Sequence, residues 1–135
     1  MKWIWSIFIL MAACSAKNAT TVEPDNLIMG KYRYLSLGDS YTIGESVAPE
    51  ERWSMILSDM LRKNGVDLSD PEIIARTGWT TAELMDGIKS RNPQGPYNLV
   101  SLLIGVNNQY RGQSLERYRT ELQELLKKAI GDRKS

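Results

Sequence analysis

The sequence predicts an α/β fold with a parallel sheet flanked by helices. Two observations predict it: β-prone segments alternate with amphipathic helical segments three times, and the last β-prone segment, residues 97–104, is almost continuously apolar. Strands and helices that alternate in this way are joined by right-handed crossovers and pair in parallel. A nearly continuous apolar strand is typical of a parallel sheet that is covered on both faces.

The first unit is predicted from a β-prone segment followed by a long amphipathic one. Residues 32–37 (YRYLSL) end at Gly38 and are expected to form a strand. Residues 49–64 carry apolar side chains at the spacing of one helix face. The initial proline and the final Asn-Gly fit the two ends of such a helix. The expected apolar face consists of Trp53, Ile56, Leu57, Met60 and Leu61.

The second unit has a short strand and a capped helix. Residues 72–76 are expected to form the strand, and residues 80–83 (TTAE) have the form of a capping box. A helix is therefore expected to run to about Ser90, where Asn92-Pro93 follows and ends it. Its inward-facing residues are expected to be Leu84, Met85 and Ile88.

The third unit starts with the apolar strand at residues 97–104 (YNLVSLLI). Ser114 is suited to cap a helix, and Gly131 is suited to the position after its last turn. The apolar residues at helical spacing between them are Leu115, Tyr118, Leu122, Leu125, Leu126 and Ile130.

The amino-terminal segment has the layout of an export signal. Met1-Lys2 precede an apolar run at residues 3–11, two alanines and Cys14. The run is shorter than the ~20 residues that span a bilayer. Residues 10–14 (LMAAC) resemble a bacterial lipobox, which implies a signal peptide at residues 1–13 and a diacylglycerol on Cys14. The alternative is an ordinary secretory signal with an incidental cysteine. Residues 14–30 are polar and are expected to tether the domain to a membrane of the bacterial cell envelope.

Composition excludes several classes of function. The 17 Lys and Arg residues nearly balance the 16 Asp and Glu residues, so the basic stripe of a nucleic-acid-binding protein is not expected. The single cysteine excludes an internal disulfide and a multi-cysteine metal site. The 135 residues contain no histidine, which removes the commonest general base and metal ligand. No metal or cofactor is expected.

Residues 38–44 (GDSYTIG) form the first motif, directly after the first expected strand. A serine at a tight strand exit presents its hydroxyl upward, and Gly38 permits the close turn. Ser40 is therefore a candidate nucleophile. Its own N–H would lie close to the negatively charged oxygen that forms when the serine attacks a carbonyl group. The alternative is a plain turn in which Asp39 or Ser40 caps the following segment.

Two further motifs follow the other expected strands. In residues 76–81 (RTGWTT), Gly78 lets the backbone approach a ligand and offer its N–H. In residues 105–108 (GVNN), the Asn107 side chain is a neutral donor suited to a developing oxyanion. The alternatives are a glycine needed only for its turn and a turn-prone Asn-Asn pair.

In this order, at three successive strand ends, the segments resemble blocks I, II and III of the SGNH/GDSL hydrolases over residues 32–130. The resemblance implies a flavodoxin-like three-layer α/β/α sandwich, of which residues 31–135 supply only the first three βα units. It implies ester hydrolysis through an acyl-enzyme on Ser40. The implied oxyanion hole consists of the N–H groups of Ser40 and Gly78 and the side chain of Asn107.

The resemblance also guides the expected substrate contacts. Asp39, Trp79 and Asn108 are expected to contact the substrate, and Tyr41 and Tyr110 are further candidates for lining an acyl or alcohol pocket. Asn108 stands where the family often has an aspartate. The alternative for the aromatic residues is structural packing. Arg76 and Arg111 are candidates for binding an anionic substrate, with solvated surface charge as the favoured interpretation.

The family's Asp-x-x-His block has no counterpart here, because the chain lacks histidine. In a flavodoxin-like order of 2-1-3-4-5, three strands leave the third at an edge. The chain is therefore expected to be a fragment or, as the weaker alternative, a natural pseudoenzyme, and to have little activity by itself.

The expected partners are a small ester and, through acylated Cys14, a lipid bilayer. A non-catalytic, lipid-anchored binding protein that uses the same cleft is the second hypothesis. A nucleotide binder is disfavoured, because neither glycine-rich phosphate-binding motif occurs.

Overall fold

Residues 28–131 are the part of the chain that the computed structural model describes. The expected signal peptide, Cys14 and most of the tether therefore lie outside the described residues. Among residues 28–131, no helix combines the length and the apolar character needed to cross a bilayer. The elements of this part are the strands β1 (Tyr32–Gly38), β2 (Leu68–Ala75) and β3 (Leu99–Leu103), the helices α1 (Ser40–Ile43), α2 (Trp53–Lys63), α3 (Thr81–Arg91), α4 (Val106–Tyr110) and α5 (Leu115–Gly131), and a 3₁₀ turn at Pro49–Glu51.

The three strands form one parallel sheet in the order β2-β1-β3. This confirms the expected parallel α/β architecture and the expected position of the third strand at an edge. The carboxyl ends of the strands are level, because Gly38 pairs with Ala75 on one side and with Leu103 on the other. The loops that follow the three strands therefore leave the sheet side by side.

The central strand β1 is buried on both faces from Tyr34 to its end. Side chains alternate along a strand, so Leu35 and Leu37 point to one face while Tyr34 and Ser36 point to the other. The first face is covered by α3 and α5 and holds the main apolar core, whose buried members are Leu35, Leu37, Ile74, Leu84, Ile88, Tyr97 and Leu125.

A hydrogen-bonded row crosses the opposite face of the sheet. The Tyr34 and Ser101 hydroxyls lie 2.9 Å apart, and the Ser101 hydroxyl donates to Ser36 at 3.1 Å. These bonds link β1 to β3 and satisfy hydroxyl groups that burial would otherwise leave unpaired.

The two edges of the sheet differ. β2 carries Pro71, which has no N–H to offer a further strand and is tolerated at a sheet edge. β3 contains neither proline nor a charged residue, and Leu103 is 47% exposed. β3 is less buried than the expected strand covered on both faces, since none of its five residues is fully buried and Leu103 is exposed.

Helix α2 begins four residues later than expected, after the 3₁₀ turn, and it buries a different face. Ser54 and Ser58 are fully buried, whereas Ile56 and Met60 are 46% and 57% exposed. The buried face of α2 is thus rotated by part of a turn from the predicted one. Helix α2 packs against β2, and the small side chains of Ser54 and Ser58 lie on its buried side.

Helix α3 confirms the predicted capping box. The Thr80 hydroxyl accepts from the Glu83 N–H at 3.4 Å, and the Glu83 carboxylate accepts from the Thr80 N–H at 2.8 Å. Leu84 and Ile88 face the core as expected. The helix ends at Arg91 and is capped by Asn92, which adopts the left-handed conformation found at many helix ends.

Helix α5 is anchored to α3 by a buried carboxylate. The Thr81 hydroxyl donates to Glu121, and the Arg117 Nε donates to the other oxygen of Glu121 at 2.7 Å. Burial alone would raise the pKa of Glu121, but these hydrogen bonds outweigh it and hold the pKa below its ordinary value.

The predicted face of α5 is only partly confirmed. Ser114 accepts from the Arg117 N–H and so caps the helix, and Leu125 is buried. In contrast, Leu126 and Ile130 are 45% and 60% exposed, because Glu121 and Ala129 share the buried stripe with Leu125. Gly131 is the last residue of the helix and does not follow it.

Candidate active site

Ser40 is the first residue of the short helix α1, directly beyond the carboxyl end of β1. The helix is capped by Asp39, whose carboxylate accepts from the Tyr41 N–H at 3.1 Å, and it ends at Gly44 in the left-handed conformation. Ser40 is partly exposed, and within residues 28–131 neither its hydroxyl nor its N–H has a hydrogen-bond partner. Both groups are therefore free to contact a ligand.

An open cleft of about 450 Å³ adjoins Ser40. Its walls come from α1, the following loop and the start of α2. Two carboxylates lie in the wall: Glu45 accepts from the Thr77 hydroxyl at 2.8 Å, and Glu51 accepts from the Ala48 N–H at 3.3 Å. The lining residues are Ser40, Tyr41, Gly44, Glu45, Ser46, Val47, Glu51, Arg52 and Trp53.

Gly78 lies in the loop after β2 with a φ of 82°, a conformation that favours glycine. The loop is tied to the Ser40 region, because the Thr77 hydroxyl bonds Glu45. Within residues 28–131 the Gly78 N–H has no hydrogen-bond partner, whereas its carbonyl oxygen accepts from Arg111 at 2.6 Å.

Asn107 lies in the first turn of α4, directly after β3. Its side-chain amide donates to the carbonyl oxygen of Trp79 at 3.0 Å, next to Gly78 in the chain. The second and third motifs are thus in direct contact. Together with the level strand ends, this contact places Ser40, Gly78 and Asn107 at the carboxyl end of the sheet.

The structure assigns structural roles to two of the expected substrate contacts. Asp39 is 1% exposed and caps α1, which is the alternative role given above. Burial raises its pKa, and the hydrogen bond from the Tyr41 N–H opposes that rise only in part. Asn108 is 2% exposed, and its amide bonds the backbone and hydroxyl of Thr81 and the side chain of Gln113. Neither side chain is free to meet a substrate.

Trp79 does not line the cleft beside Ser40. Its ring packs against Gly87 of α3, where a side chain of any size would overlap it, and against the apolar core. The packing alternative therefore describes Trp79 better than the expected substrate contact. Tyr41 does line the cleft and is 64% exposed, whereas Tyr110 is 89% exposed and lies outside it.

A family model described as GDSL-like lipase/acylhydrolase matches residues 36–134. The chain belongs to this GDSL-like family. The match starts within β1 and covers all three motifs, so the family assignment and the geometry of the site rest on the same residues.

Solved structures agree on the fold. The chain is 29% identical to AlinE4, an SGNH-hydrolase family esterase, with a TM-score of 0.60. The alignment covers 76% of this chain and 57% of AlinE4. TesA is 21% identical with a TM-score of 0.66, over 74% of this chain and 55% of TesA. The psychrotrophic esterase EstA from Pseudoalteromonas sp., in a form inhibited by monoethylphosphonate, is 23% identical with a TM-score of 0.64, over 74% and 54%.

This GDSL-like chain thus spans little more than half of each of these solved structures. No curated protein matches it significantly. The expected SGNH fold, limited to its first three βα units in the described residues, is confirmed by these likenesses.

Two residues of the site escaped the sequence analysis. The sequence motifs do not point to Glu45, and for Arg111 they favour a solvated surface charge. Arg111 is four residues after Asn107, the spacing that places two side chains on one helix face. That spacing is the only signal the sequence offers, and it becomes meaningful only once the five residues of α4 are known to be helical.

Proposed function

We propose that this GDSL-family chain carries the nucleophile and the oxyanion hole of a serine ester hydrolase that acts on a small ester through an acyl-enzyme. One observation carries the proposal: Ser40, with its hydroxyl unpartnered in the described residues, opens onto a cleft whose wall residue Glu45 is hydrogen-bonded to Thr77, next to Gly78 in the chain. The family membership and the SGNH esterase AlinE4 at 29% identity support the same reaction class.

In the proposed reaction the Ser40 oxygen attacks the ester carbonyl carbon, and the carbonyl oxygen takes up the negative charge. The unpartnered N–H groups of Ser40 and Gly78 and the Asn107 amide would donate to that oxygen. Each such donor contributes roughly 3–4 kcal/mol to transition-state stabilisation. Collapse of the tetrahedral intermediate expels the alcohol and leaves an acyl group on Ser40, which water then removes.

The weak point of this reaction is the proton of Ser40. A serine hydroxyl is a poor nucleophile until a base accepts its proton, and the 135 residues hold no histidine. We propose that this chain alone reacts slowly, through the oxyanion hole and substrate binding. The same absence favours the second candidate, a non-catalytic protein that binds a ligand in the cleft.

A serine-reactive fluorophosphonate probe tests the proposal. The full chain should become labelled slowly on Ser40, because phosphorus chemistry mimics acyl transfer and uses the same oxyanion donors. Mass spectrometry of the digested protein locates the adduct. Ser40→Ala should abolish the adduct, and Ser46→Ala, which alters an exposed serine of the same cleft, should leave it unchanged. Equal labelling of the Ser40→Ala variant would contradict a role for Ser40 as the nucleophile.

We also propose that Cys14 is acylated and anchors the protein to a membrane of the bacterial cell envelope. The support is the layout of residues 1–14 in the sequence. In a bacterial host, the wild type should sediment with membranes, and Cys14→Ser should move it to the soluble or secreted fraction. Ser15→Ala is the matched control. Recovery of the wild type in the soluble fraction would refute the anchor.

A further inference from the structure

We infer that Arg111 is a positioning residue that holds Gly78 in the conformation needed to donate to the oxyanion. The inference rests on the proposed function and deepens it, since it assigns a role to a side chain outside the three family motifs. Its basis is a set of contacts made by the short helix α4 and the residue that follows it.

Helix α4 and its cap hold two successive carbonyl groups of the Gly78 loop. Asn107, in the first turn, donates to the Trp79 oxygen at 3.0 Å, and Arg111, at the end, donates to the Gly78 oxygen at 2.6 Å. With both oxygens bound, the peptide groups on either side of Trp79 cannot rotate freely. These contacts restrict ψ of the left-handed Gly78 residue, whose backbone is intrinsically flexible.

The other branch of the guanidinium is held as well. Arg111 Nη1 lies 3.1 Å from Glu83 Oε1, and the second oxygen of Glu83 accepts from the Thr80 N–H at 2.8 Å. The Thr80 hydrogen bond and Arg111 together hold the pKa of Glu83 below its ordinary value. Arg111 thus spans the start of α3 and the Gly78 carbonyl.

This geometry explains why the residue is an arginine. The planar guanidinium offers two donors in a fixed fork, so one side chain serves both the carboxylate and the carbonyl. A lysine ammonium is a point charge and cannot reproduce the fork. Both branches of Arg111 face protein acceptors, which argues against the anionic-substrate role considered from the sequence.

The Gly78 N–H is the group that benefits. It has no hydrogen-bond partner within residues 28–131, so its direction is set only by the backbone around it. An oxyanion donor is effective when it is aimed before the charge develops. Loss of the Arg111 contacts would leave the N–H present but less firmly aimed.

The first test measures how fast Ser40 of the full chain reacts with a 4-nitrophenyl alkylphosphonate, by release of nitrophenolate. Arg111→Ala should lower the maximal rate constant about 10-fold and leave the half-saturating concentration unchanged. This loss is smaller than the roughly 10²–10³-fold typical of removing an oxyanion donor itself. Arg111→Lys should react as slowly as Arg111→Ala, whereas added ethylguanidinium should restore part of the rate of Arg111→Ala. Arg119→Ala, which breaks only an exposed pair with Glu116, is the matched control.

The second test reads the loop directly by NMR. The Gly78 amide order parameter should fall from about 0.85, a rigid value, toward about 0.6 in both Arg111 variants and stay high in Arg119→Ala. Arg111→Lys decides the matter if Arg111→Ala does not fold. Either readout remaining at the wild-type value in a folded variant overturns the inference. If the wild type releases no more nitrophenolate than Ser40→Ala, the proposed function fails, and the order parameter alone decides whether Arg111 holds the loop.

Discussion

Joining the family's Asp-x-x-His block to this chain should raise its rate of ester hydrolysis by roughly 10³-fold or more. The added histidine would accept the Ser40 proton, and the 135 residues contain no histidine that could do so. A suitable chimera appends, after α5, the carboxyl-terminal segment of an SGNH esterase such as AlinE4, chosen so that it carries the block. Hydrolysis of a 4-nitrophenyl acyl ester is the measurement.

The described part of the chain offers an attachment surface for such a segment. The free edge of β3 has neither proline nor charge, and Leu103 is 47% exposed there. Leu126 and Ile130 of α5 are also exposed. A further parallel strand would pair with β3 and its helix would cover apolar surface, which is the arrangement expected of a longer sheet.

Two control chimeras separate catalysis from mere stabilisation. The first replaces the histidine of the appended segment by alanine, and the second combines the intact segment with Ser40→Ala. Both should fold like the parent chimera and hydrolyse the ester at the rate of the present chain or below. Full activity of the chimera that carries Ser40→Ala would assign the activity to the appended segment and would show that Ser40 is not the nucleophile.

Much of the fold could be predicted because it depends on local pattern. The alternation of β-prone and helical segments defines the three units, and the Thr80–Glu83 capping box marks the start of α3 to the residue. The strand order came from the family resemblance and not from periodicity. The motifs could be placed at strand ends because glycine and asparagine interrupt the pattern there.

The remaining features depend on contacts between segments distant in sequence. Helical spacing shows that α2 has an apolar face, but it does not show that Ser54 and Ser58 are buried while Ile56 and Met60 are exposed. The five-residue helix α4 is too short to produce a periodic signal, so Arg111 and Asn108 could not be assigned from sequence. Asp39 and Trp79 lie within the motifs, and only their burial and packing reveal that they support the site.

Gly38→Ala should destabilise the domain by about 3 kcal/mol or more, or prevent it from folding. A Cβ atom at this position would overlap the Thr42 side chain and lie 2.5 Å from the carbonyl oxygen of Leu103. That oxygen belongs to β3, which pairs with β1 at this residue, so it cannot retreat without disturbing the sheet. Overpacking of a core costs about 1–3 kcal/mol and occasionally more, and here backbone as well as side chain must move. Urea unfolding followed by circular dichroism measures the loss.

Gly131→Ala is the matched control, because a Cβ there meets no heavy atom within 4 Å and the residue is helical. It should leave stability unchanged or raise it by up to about 1 kcal/mol. The double variant Gly38→Ala with Thr42→Ala should recover only part of the loss, since the Leu103 oxygen still opposes the new methyl group. A Gly38→Ala protein as stable as the wild type would mean that β1, α1 and β3 do not approach as closely as described. The turn that presents Ser40 would then lack the rigid support on which its proposed role depends.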